Sequence, residues 1–272
     1  MQYSILMSVY YKDVPRYFDE SIQSMLDQTY KTNDFVIVCD GELTPGLEEV
    51  LVKYQEIPYI NIVRLEENIG LGKALNHGLN FCKNDLVARM DSDDISVPDR
   101  CERQLAIMKN KPEISIVGSH VEEFVGEPSK VIAIKKVPLG HDEIMKMVKK
   151  RNPFNHPTVM FRKKNIIEAG NYLDCKLNED YYLWIRVLKK GYLTENIDAN
   201  LVKMRVNDDT YMRRGGWKYF KEQKKIFKYM YKEKMINFFQ YAYQTGVRFI
   251  IRVIVPNKIR KKIYLKYLRE EV

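Results

Sequence analysis

Short apolar runs alternate with segments of helical periodicity in the first third of the chain. Four runs of strand length are almost continuously apolar, at 3–10, 34–40, 61–65 and 85–90. Between them, apolar residues recur at helical spacing in segments that begin near Pro15, Pro45 and Leu71. Strands that are apolar on both sides are typical of a parallel sheet with helices on both faces. The pattern therefore predicts an α/β fold with a mostly parallel central sheet flanked by helices.

The pattern is less regular after Pro98. We expect helices at 98–110, 141–150 and 178–190, and strand-like segments at 114–126, 130–138 and 201–206. The last 60 residues are predicted to be helical, with breaks at Gly246 and Pro256, because glycine and proline interrupt helices. No repeat or low-complexity linker separates these segments.

Charge divides the chain into a body and a tail. The formal net charge is +9, but residues 213–272 hold 17 Lys and Arg against 4 Asp and Glu, a local balance of +13. The preceding 212 residues therefore carry −4. A basic tail on a mildly acidic body predicts a helical extension with an anionic partner of its own.

Cysteine usage and the N-terminus bear on the compartment. The four cysteines are scattered and form no CxxC pair, which favours free thiols in a reducing environment. The N-terminus lacks the basic and long apolar regions of a signal peptide, and no apolar stretch is long enough to cross a bilayer. We therefore expect a cytoplasmic protein.

Acidic residues follow two of the predicted strands. Asp40 ends the second strand, and the fourth runs into Asp91, Ser92, Asp93 and Asp94. Ligands of open parallel sheets bind outside the carboxyl ends of the strands. Three carboxylates within four residues raise one another's pKa unless a cation intervenes. Because Mg²⁺ is often held by one or two carboxylates together with substrate phosphates, the cluster predicts a metal and a phosphorylated ligand.

The acidic cluster also allows other interpretations. A calcium loop of the EF-hand type starting at Asp91 would need glycine where Ser96 stands, and Pro98 would interrupt it. A phosphatase with an aspartyl nucleophile would carry Asp-x-Asp on an early strand, with Thr or Val in place of Ile95. An ordinary solvated turn with a helix cap also remains open.

Seven motifs in order carry a resemblance to a known family. They are SILMSVYYKD, SIQSMLDQTY, DFVIVCDG, ENIGLGKALNHG, VARMDSDDISVPDR, NHPTVMFRK and NEDYYLWIRVLKKG. Together they resemble family 2 glycosyltransferases with the GT-A fold, a Rossmann-like α/β fold, and most closely the bacterial branch that builds capsule, exopolysaccharide and O-antigen chains. The resemblance covers residues 3–206, and RRGGWKYF in the tail is similar to that branch as well.

The resemblance implies a role for each matching position. It implies a catalytic domain at 1–212, with a nucleotide-binding half at about 1–97 and an acceptor half at about 98–212, followed by the extension at 213–272. Asp93 would coordinate Mn²⁺ or Mg²⁺, and Asp180 would be the general base, with Glu179 as the neighbouring carboxylate. The nucleotide sugar would be bound by Ser8, Val9, Tyr10, Asp40, Asn68, Lys73, Arg89, Asp91, Ser92 and His156.

Elementary chemistry supports a separate base. A carboxylate that faces the acceptor hydroxyl can remove its proton while a metal stabilises the departing diphosphate. The metal-binding pair cannot do both, so a carboxylate far along the chain is required, and Asp180 or Glu179 supplies it. Both also stand at a predicted helix start, where acidic residues are favoured by the helix dipole alone.

Several of these positions have an ordinary structural alternative. Asp40 could cap the turn that follows it, and Asn68 with Lys73 could form a simple helix start rather than a phosphate site. Arg89 lies in an apolar strand, so it needs either a structural carboxylate partner or the nucleotide. His156 could be a structural histidine. Asn207 stands where many relatives carry histidine, which weakens any diphosphate contact from that segment.

The basic, aromatic tail allows two interpretations. It could bind nucleic acid, but no recognisable nucleic-acid module is present. It could instead dock on anionic lipid, and the aromatic residues expected to take part are Trp217, Phe220, Phe227, Phe238, Phe239 and Phe249. Some of these would pack on the body instead. We favour peripheral association with the inner face of the plasma membrane, and no nucleic-acid partner.

The sequence as a whole predicts a metal-dependent, inverting glycosyltransferase. Its donor would be a nucleoside diphosphate sugar, most simply a UDP-sugar, and its acceptor a polyprenyl diphosphate-linked saccharide used in cell-surface polysaccharide synthesis. Two alternatives stay open: a nucleotidyl- or phosphotransferase with the same metal–phosphate geometry, and a non-catalytic binding subunit. The sugar, the linkage and the oligomeric state are not specified by the sequence.

Overall fold

A computed structural model describes residues 1–175, 177–207, 215–256, 259–260 and 269–270. Its strands are β1 (Tyr3–Val9), β2 (Phe35–Cys39), β3 (Ile60–Arg64), β4 (Leu86–Asp91), β5 (Ile95–Ser96), β6 (Ile114–Phe124), β7 (Val131–Lys135), β8 (Met160–Arg162) and β9 (Leu193–Arg205). All of these strands belong to a single sheet.

The helices pack on both faces of this sheet. They are α1 (Pro15–Leu26), α2 (Pro45–Tyr54), α3 (Leu71–Leu79), α4 (Arg100–Asn110), α5 (His141–Val148), α6 (Lys163–Glu168), α7 (Glu179–Lys189), α8 (Gly216–Lys232) and α9 (Phe238–Phe249). A short 3₁₀ turn spans His156–Thr158, and a π-helical segment, Ile250–Ile254, continues α9.

Strand order explains where the chain can build a site. The order is β3-β2-β1-β4-β8-β6-β9-β5, with β7 paired to β6. The first four strands are parallel, and in their register Val9 lies beside Cys39 while Ser8 lies beside Asp91. The carboxyl ends of β1, β2 and β4 therefore meet at one edge.

The predicted fold class is confirmed, with additions in the second half. Strands β8 and β7 pair antiparallel with their neighbours, so the sheet is parallel at one side and mixed at the other. Two predicted boundaries were wrong. Strand β9 begins at Leu193 rather than near Leu201, and Gly246 lies inside α9 instead of ending a helix.

Two apolar layers enclose the sheet. One layer joins α1, α2 and α4 to the sheet through residues such as Phe18, Leu47 and Leu105, and the other joins α3, α5, α7 and α8. Helix α3 lies especially close to the strands, because a Cβ on Gly78 would come within 2.4 Å of the Val38 side chain. The absence of a side chain on Gly78 thus allows α3 to pack closely on β2.

The basic extension packs on the body through α8. Phe227 and Phe220 are buried. Ile226 and Met230 belong to the apolar layer that joins α3, α5, α7 and α8. The burial of these two phenylalanines agrees with the expectation that some of the tail aromatics pack on the body. The predicted boundary at residue 212 lies in 208–214, outside the described residues.

Two further observations concern the cysteines and membrane-spanning elements. Cys39, Cys82, Cys101 and Cys175 are all buried free thiols. Within the described ranges, no helix combines the length and apolar character that crossing a bilayer requires.

Candidate active site

Acidic side chains meet at the carboxyl edge of the sheet, as the sequence predicted. Asp40 follows β2 directly and Asp91 ends β4, on either side of the end of β1. Ser8 and Val9 form that end of β1, and Tyr10 follows as an exposed residue whose ring contacts Tyr11. The floor of the candidate site is thus made by three adjacent parallel strands.

Asp40 organises the loop that leads into α3. Its buried carboxylate accepts hydrogen bonds from the main-chain N–H groups of Ile69 and Gly70, at 2.8 and 3.0 Å. Burial raises the pKa of Asp40, and the two main-chain bonds oppose that shift. The side chain of Asn68 donates to the main-chain oxygen of Asp40 at 3.1 Å. Asp40 and Asn68 therefore shape one wall together, and their nucleotide contacts remain predictions.

The first turn of α3 faces α7. Gly70 precedes the helix with φ +90°, a left-handed conformation that favours glycine. A Cβ on Gly72 would lie 3.0 Å from the Cβ of Glu179, so the starts of the two helices are in contact. Lys73 is exposed, with Nζ 4.0 Å from an Asp174 oxygen. Its predicted contact with phosphate is compatible with this position and stays a prediction.

The acidic cluster at residues 91–94 spans the end of β4 and the loop after it, and we call it the acidic loop. Its carboxylates point in different directions. Asp91 forms an ion pair with the buried guanidinium of Arg89. Ser92 donates to the Asp13 carboxylate at 2.7 Å, and the main-chain N–H of Arg205 donates to buried Asp94 at 2.9 Å. Asp93 is exposed. The loop thus leaves Asp93 at the surface of the site while its neighbours are fixed by the protein.

Negative charge is concentrated around this loop. Burial, with the charges of Asp93 and Asp91, raises the pKa of Asp13 to about 7. Burial and the same two charges raise the pKa of Asp94 well above its usual value. In both groups burial is the largest cause, and the neighbouring carboxylates raise the pKa further. The loop is therefore an electrostatic environment that favours a cation.

The side chains of the acidic loop offer oxygen ligands of the kind that a divalent cation prefers. Among the described residues, no three His, Cys, Asp or Glu side chains converge as a preformed metal site. An exposed carboxylate beside an excess of negative charge nevertheless fits Mg²⁺ or Mn²⁺ that takes its remaining ligands from phosphate and water. Asp93 is exposed on this loop, and its role as a metal ligand stays a prediction.

The carboxylate predicted as the base is held by the loop that precedes the 3₁₀ turn. Asn152 donates to Asp180 at 2.6 Å, and the main-chain N–H of Tyr181 donates to its other oxygen at 2.7 Å. Burial raises the pKa of Asp180, while Arg89 and Asn152 lower it. Burial and the Asp180 charge raise the pKa of Glu179 to about 7. This pair therefore titrates closer to neutrality than ordinary carboxylates.

Arg89 links the two acidic groups. Its charge lowers the pKa of Asp94, Glu179 and Asp180. Its ion pair with Asp91 supports the structural interpretation of this arginine. The Nε and Nη1 atoms are buried without a hydrogen-bond partner among the described residues. A contact from these atoms to a nucleotide sugar stays a prediction.

His156 lies in an aromatic cluster. Its Nε2 atom is 2.9 Å from the hydroxyl of Tyr172, and its ring packs on Trp184. Burial and the charge of Arg89 hold the pKa of His156 well below its usual value, so the ring is neutral. These contacts match the structural alternative, and the predicted contact with substrate is untested.

Four site residues were missed by the sequence interpretation. Asn152 and Tyr172 contact Asp180 and His156, Asp13 contacts Ser92, and Arg205 contacts the acidic loop. Asp13 lies in the first quoted motif, but it was interpreted only as a helix start. Arg205 lies in the strand-like segment before Asn207. No sequence signal pointed to Asn152 and Tyr172, since neither is titratable near neutral pH nor repeated at a regular spacing.

The geometry as a whole can bind an anionic ligand through a cation and move a proton nearby. The acidic loop and Asp40 lie at one edge of the sheet, and Asp40 accepts hydrogen bonds from the main chain just before α3. The Asp180 carboxylate is a second, separate group with its own hydrogen-bond support. These are the parts required for transfer of a group from a phosphorylated donor to a hydroxyl.

Sequence comparison places this site in a known family. The family model described as "Glycosyl transferase family 2" matches residues 4–170. The chain is 38% identical, over 98% of its length and 97% of the relative, to the Escherichia coli "UDP-Gal:alpha-D-GlcNAc-diphosphoundecaprenol beta-1,3-galactosyltransferase". It is 35% identical, over 97% of its length and 98% of the relative, to the "Amylovoran biosynthesis glycosyltransferase AmsE" of Erwinia amylovora.

Solved structures support the fold. Residues 1–349 of Staphylococcus aureus TarS in complex with UDP-GlcNAc match with a TM-score of 0.67 and 15% identity, covering 98% of this chain and 76% of that one. The mannosyltransferase PcManGT from Pyrobaculum calidifontis, in complex with GDP-Man and Mn²⁺, matches with a TM-score of 0.65 and 13% identity, covering 95% and 71%. At these identities the likeness concerns the fold alone.

Proposed function

The chain belongs to the family 2 glycosyltransferases, and from that premise we propose its donor, acceptor and mechanism. It transfers a sugar from a UDP-sugar to a hydroxyl of a lipid-linked saccharide during synthesis of a cell-surface polysaccharide. One observation carries the proposal: the acidic loop and Asp40 share one edge of the sheet, while Asp180 is held separately by Asn152. Such an arrangement separates donor binding from proton removal.

The donor and acceptor classes are supported by the named relatives. The Escherichia coli relative is named for UDP-Gal and a diphosphoundecaprenol-linked GlcNAc, and the match covers nearly the whole of both chains. The Erwinia amylovora relative is named for the biosynthesis of amylovoran. UDP-galactose is therefore the first donor to test, and a polyprenyl diphosphate-linked saccharide the first acceptor. Such an acceptor would place the reaction at the inner face of the plasma membrane.

The donor would bind across the carboxyl edge of the sheet. The end of β1 (Ser8, Val9 and Tyr10) and Asp40 would hold the base, while Asp91 with Ser92 would face the ribose or the sugar. Asn68, Lys73, Arg89 and His156 would complete the nucleotide-sugar site. Asp93 would hold Mn²⁺ or Mg²⁺, which supplies neutralising charge for the diphosphate when bound.

Asp180 would act as the general base. The acceptor hydroxyl oxygen forms a bond to the anomeric carbon, the bond from that carbon to the UDP oxygen breaks, and the hydroxyl proton passes to Asp180. Attack opposite the leaving group inverts the anomeric centre. Asn152 orients the carboxylate by donating to one of its oxygens. Glu179, the adjacent carboxylate, is the alternative base.

Calorimetric titration of UDP, with and without Mn²⁺, tests the donor site. The wild-type protein should bind UDP only when the metal is present. Asp93→Ala should fail to bind UDP even with the metal. Glu102→Ala, which removes a carboxylate on α4, is the matched control and should bind as the wild type does. Equal binding by Asp93→Ala would contradict the metal role of Asp93, and failure of UDP to bind would direct the test to GDP.

A transfer assay tests the reaction. UDP-galactose and a diphosphate-linked GlcNAc acceptor should yield free UDP and a disaccharide whose anomeric configuration, read by NMR coupling, is inverted relative to the donor. Release of a nucleoside monophosphate instead would favour the nucleotidyl- or phosphotransferase alternative. UDP binding without turnover of any sugar nucleotide would favour a binding subunit.

A further inference from the structure

The outer face of α9 and its π-helical continuation is apolar. Phe239, Tyr243, Ile250 and Ile254 are 81%, 68%, 52% and 60% exposed, respectively. Their spacings of four and seven residues place them on one side of the helix. Gly246 lies between them on the same side and is exposed as well. We call these four side chains the apolar stripe.

The charged residues of this segment face the protein instead of the solvent. Residues 238–256 contain only Arg248 and Arg252 as charged residues. The Arg248 guanidinium lies 4.1 Å from the centre of the Phe227 ring, and Arg252 lies 5.1 Å from that of Tyr219. A surface helix usually has the opposite arrangement, with its charges outside. The inversion indicates that the outer face meets something other than water.

A row of lysines runs beside the apolar stripe. On α8, Trp217, Lys221, Lys224, Lys228 and Tyr231 share one side of the helix at spacings of three and four residues. At the two ends of this row, the exposed Trp217 contacts Phe249 and the exposed Tyr231 contacts Phe238, which are both on α9. The three lysines between them are exposed, and among the described residues no carboxylate forms an ion pair with them.

We propose that the apolar stripe and the lysine row form one face that docks on an anionic lipid bilayer, with the stripe inserted between headgroups and the lysines on the headgroup phosphates. Apolar side chains flanked by lysines are the pattern of helices that lie in the membrane interface. The inference rests on the proposed lipid-linked acceptor, because docking would bring the active site to that substrate. A symmetric second copy fits this face less well, since it would bring two lysine rows together.

Sedimentation of the full chain with vesicles tests the proposal. Wild-type protein should bind vesicles of phosphatidylcholine with 30% phosphatidylglycerol at least about tenfold more tightly than phosphatidylcholine alone. The variant Phe239→Ser/Tyr243→Ser/Ile250→Ser and the variant Lys221→Gln/Lys224→Gln/Lys228→Gln should each lose about tenfold in affinity. Val52→Ser, which removes an exposed apolar side chain on α2, should bind as the wild type does.

Each other result overturns the proposal. Absence of wild-type binding, or equal binding by the serine variant, removes the stripe as a membrane contact. If sedimentation velocity shows a wild-type dimer that the serine substitutions dissociate, the occupant is a second copy. Circular dichroism and urea unfolding establish that the variants fold.

A water-soluble acceptor separates this inference from the proposed function. With a short-chain diphosphate-linked GlcNAc, the serine variant should retain wild-type turnover, because the stripe lies outside the active site. If the wild type binds vesicles but turns over no sugar nucleotide, the proposed function alone is contradicted. Retained turnover with no vesicle binding by the wild type would count against the docking face alone.

Discussion

Asn152 donates a hydrogen bond of 2.6 Å to Asp180, although the two residues come from different elements. Asp180 stands in the first turn of α7, where a carboxylate could simply cap the helix. Its second oxygen accepts from the N–H of the adjacent Tyr181. The carboxylate is therefore oriented by the loop before the 3₁₀ turn, which is the support a positioned base requires.

Replacement of Asp180 should remove the chemical step and leave the donor site intact. We expect Asp180→Asn to lower kcat about 10²–10⁴-fold, the range typical of general base catalysis, without weakening UDP binding. Turnover with the lipid-linked acceptor and calorimetry with UDP measure the two effects. Glu179→Gln is the matched control and should lose less activity; the reverse order would assign the base to Glu179.

Loss of Asn152 should move the acid limb of the pH–rate profile. The Asn152 bond lowers the pKa of Asp180, so its removal in Asn152→Ala raises that pKa further. Because the base must be ionised, kcat should fall at higher pH than in the wild type, and activity should recover on the alkaline side. A uniform loss of kcat at every pH, with no displaced limb, would show that Asn152 has only a structural role.

Removal of the Arg89 charge should destabilise the fold. Arg89→Met leaves Asp91 and the neighbouring carboxylates without their buried counter-ion, and we expect the free energy of unfolding to fall by about 3 kcal/mol. Arg64→Met is the control, because its ion pair with Glu48 is at the surface and should contribute at most about 1 kcal/mol. Urea unfolding compares the two; equal losses would contradict the burial argument.

Asp13 should make stability fall as pH rises toward neutrality. Its pKa is about 7 in the folded protein against a usual value of 3.8. Between these values the folded state keeps a proton that the unfolded state has lost, so stability decreases with rising pH until both are ionised. Asp13→Asn should therefore stabilise the metal-free protein at pH 8 more than at pH 5.

Urea unfolding in EDTA at the two pH values provides the measurement for Asp13. Asparagine retains an oxygen that can accept from Ser92 and from the Tyr10 N–H, so the local contacts survive the substitution. Glu56→Gln removes an exposed carboxylate and controls for net charge. The same gain at both pH values would show that Asp13 is not the titrating group.

The sequence by itself determined the floor of the active site. Strands β1, β2 and β4 are continuous apolar runs, and a parallel sheet brings their carboxyl ends together, so Asp40 and Asp91 were predicted as neighbours. Helix α7 was predicted from its periodicity and its terminal Gly191. These features depend on local spacing, which a sequence displays directly.

Short or irregular elements were harder to predict. Strand β8 has three residues and β5 has two, which is too few for a periodic signal. The first half of β9 is largely polar, so its alternation was missed. Gly246 stays within α9 because the packing of that helix on α8 offsets a propensity cost of about 1 kcal/mol.

Tertiary structure alone decided the side-chain partners. Ser92 and Asp13 are 79 positions apart, and Arg205 is 111 positions from Asp94, yet both pairs form hydrogen bonds. The raised pKa of Asp13 also arises from burial and from the charges of Asp93 and Asp91, which lie far along the chain. Contacts across such separations follow from how whole elements pack, and no local pattern encodes them. The sequence thus determined which edge of the sheet carries the chemistry, and the packing decided which carboxylates are buried, which are held by hydrogen bonds and which are exposed.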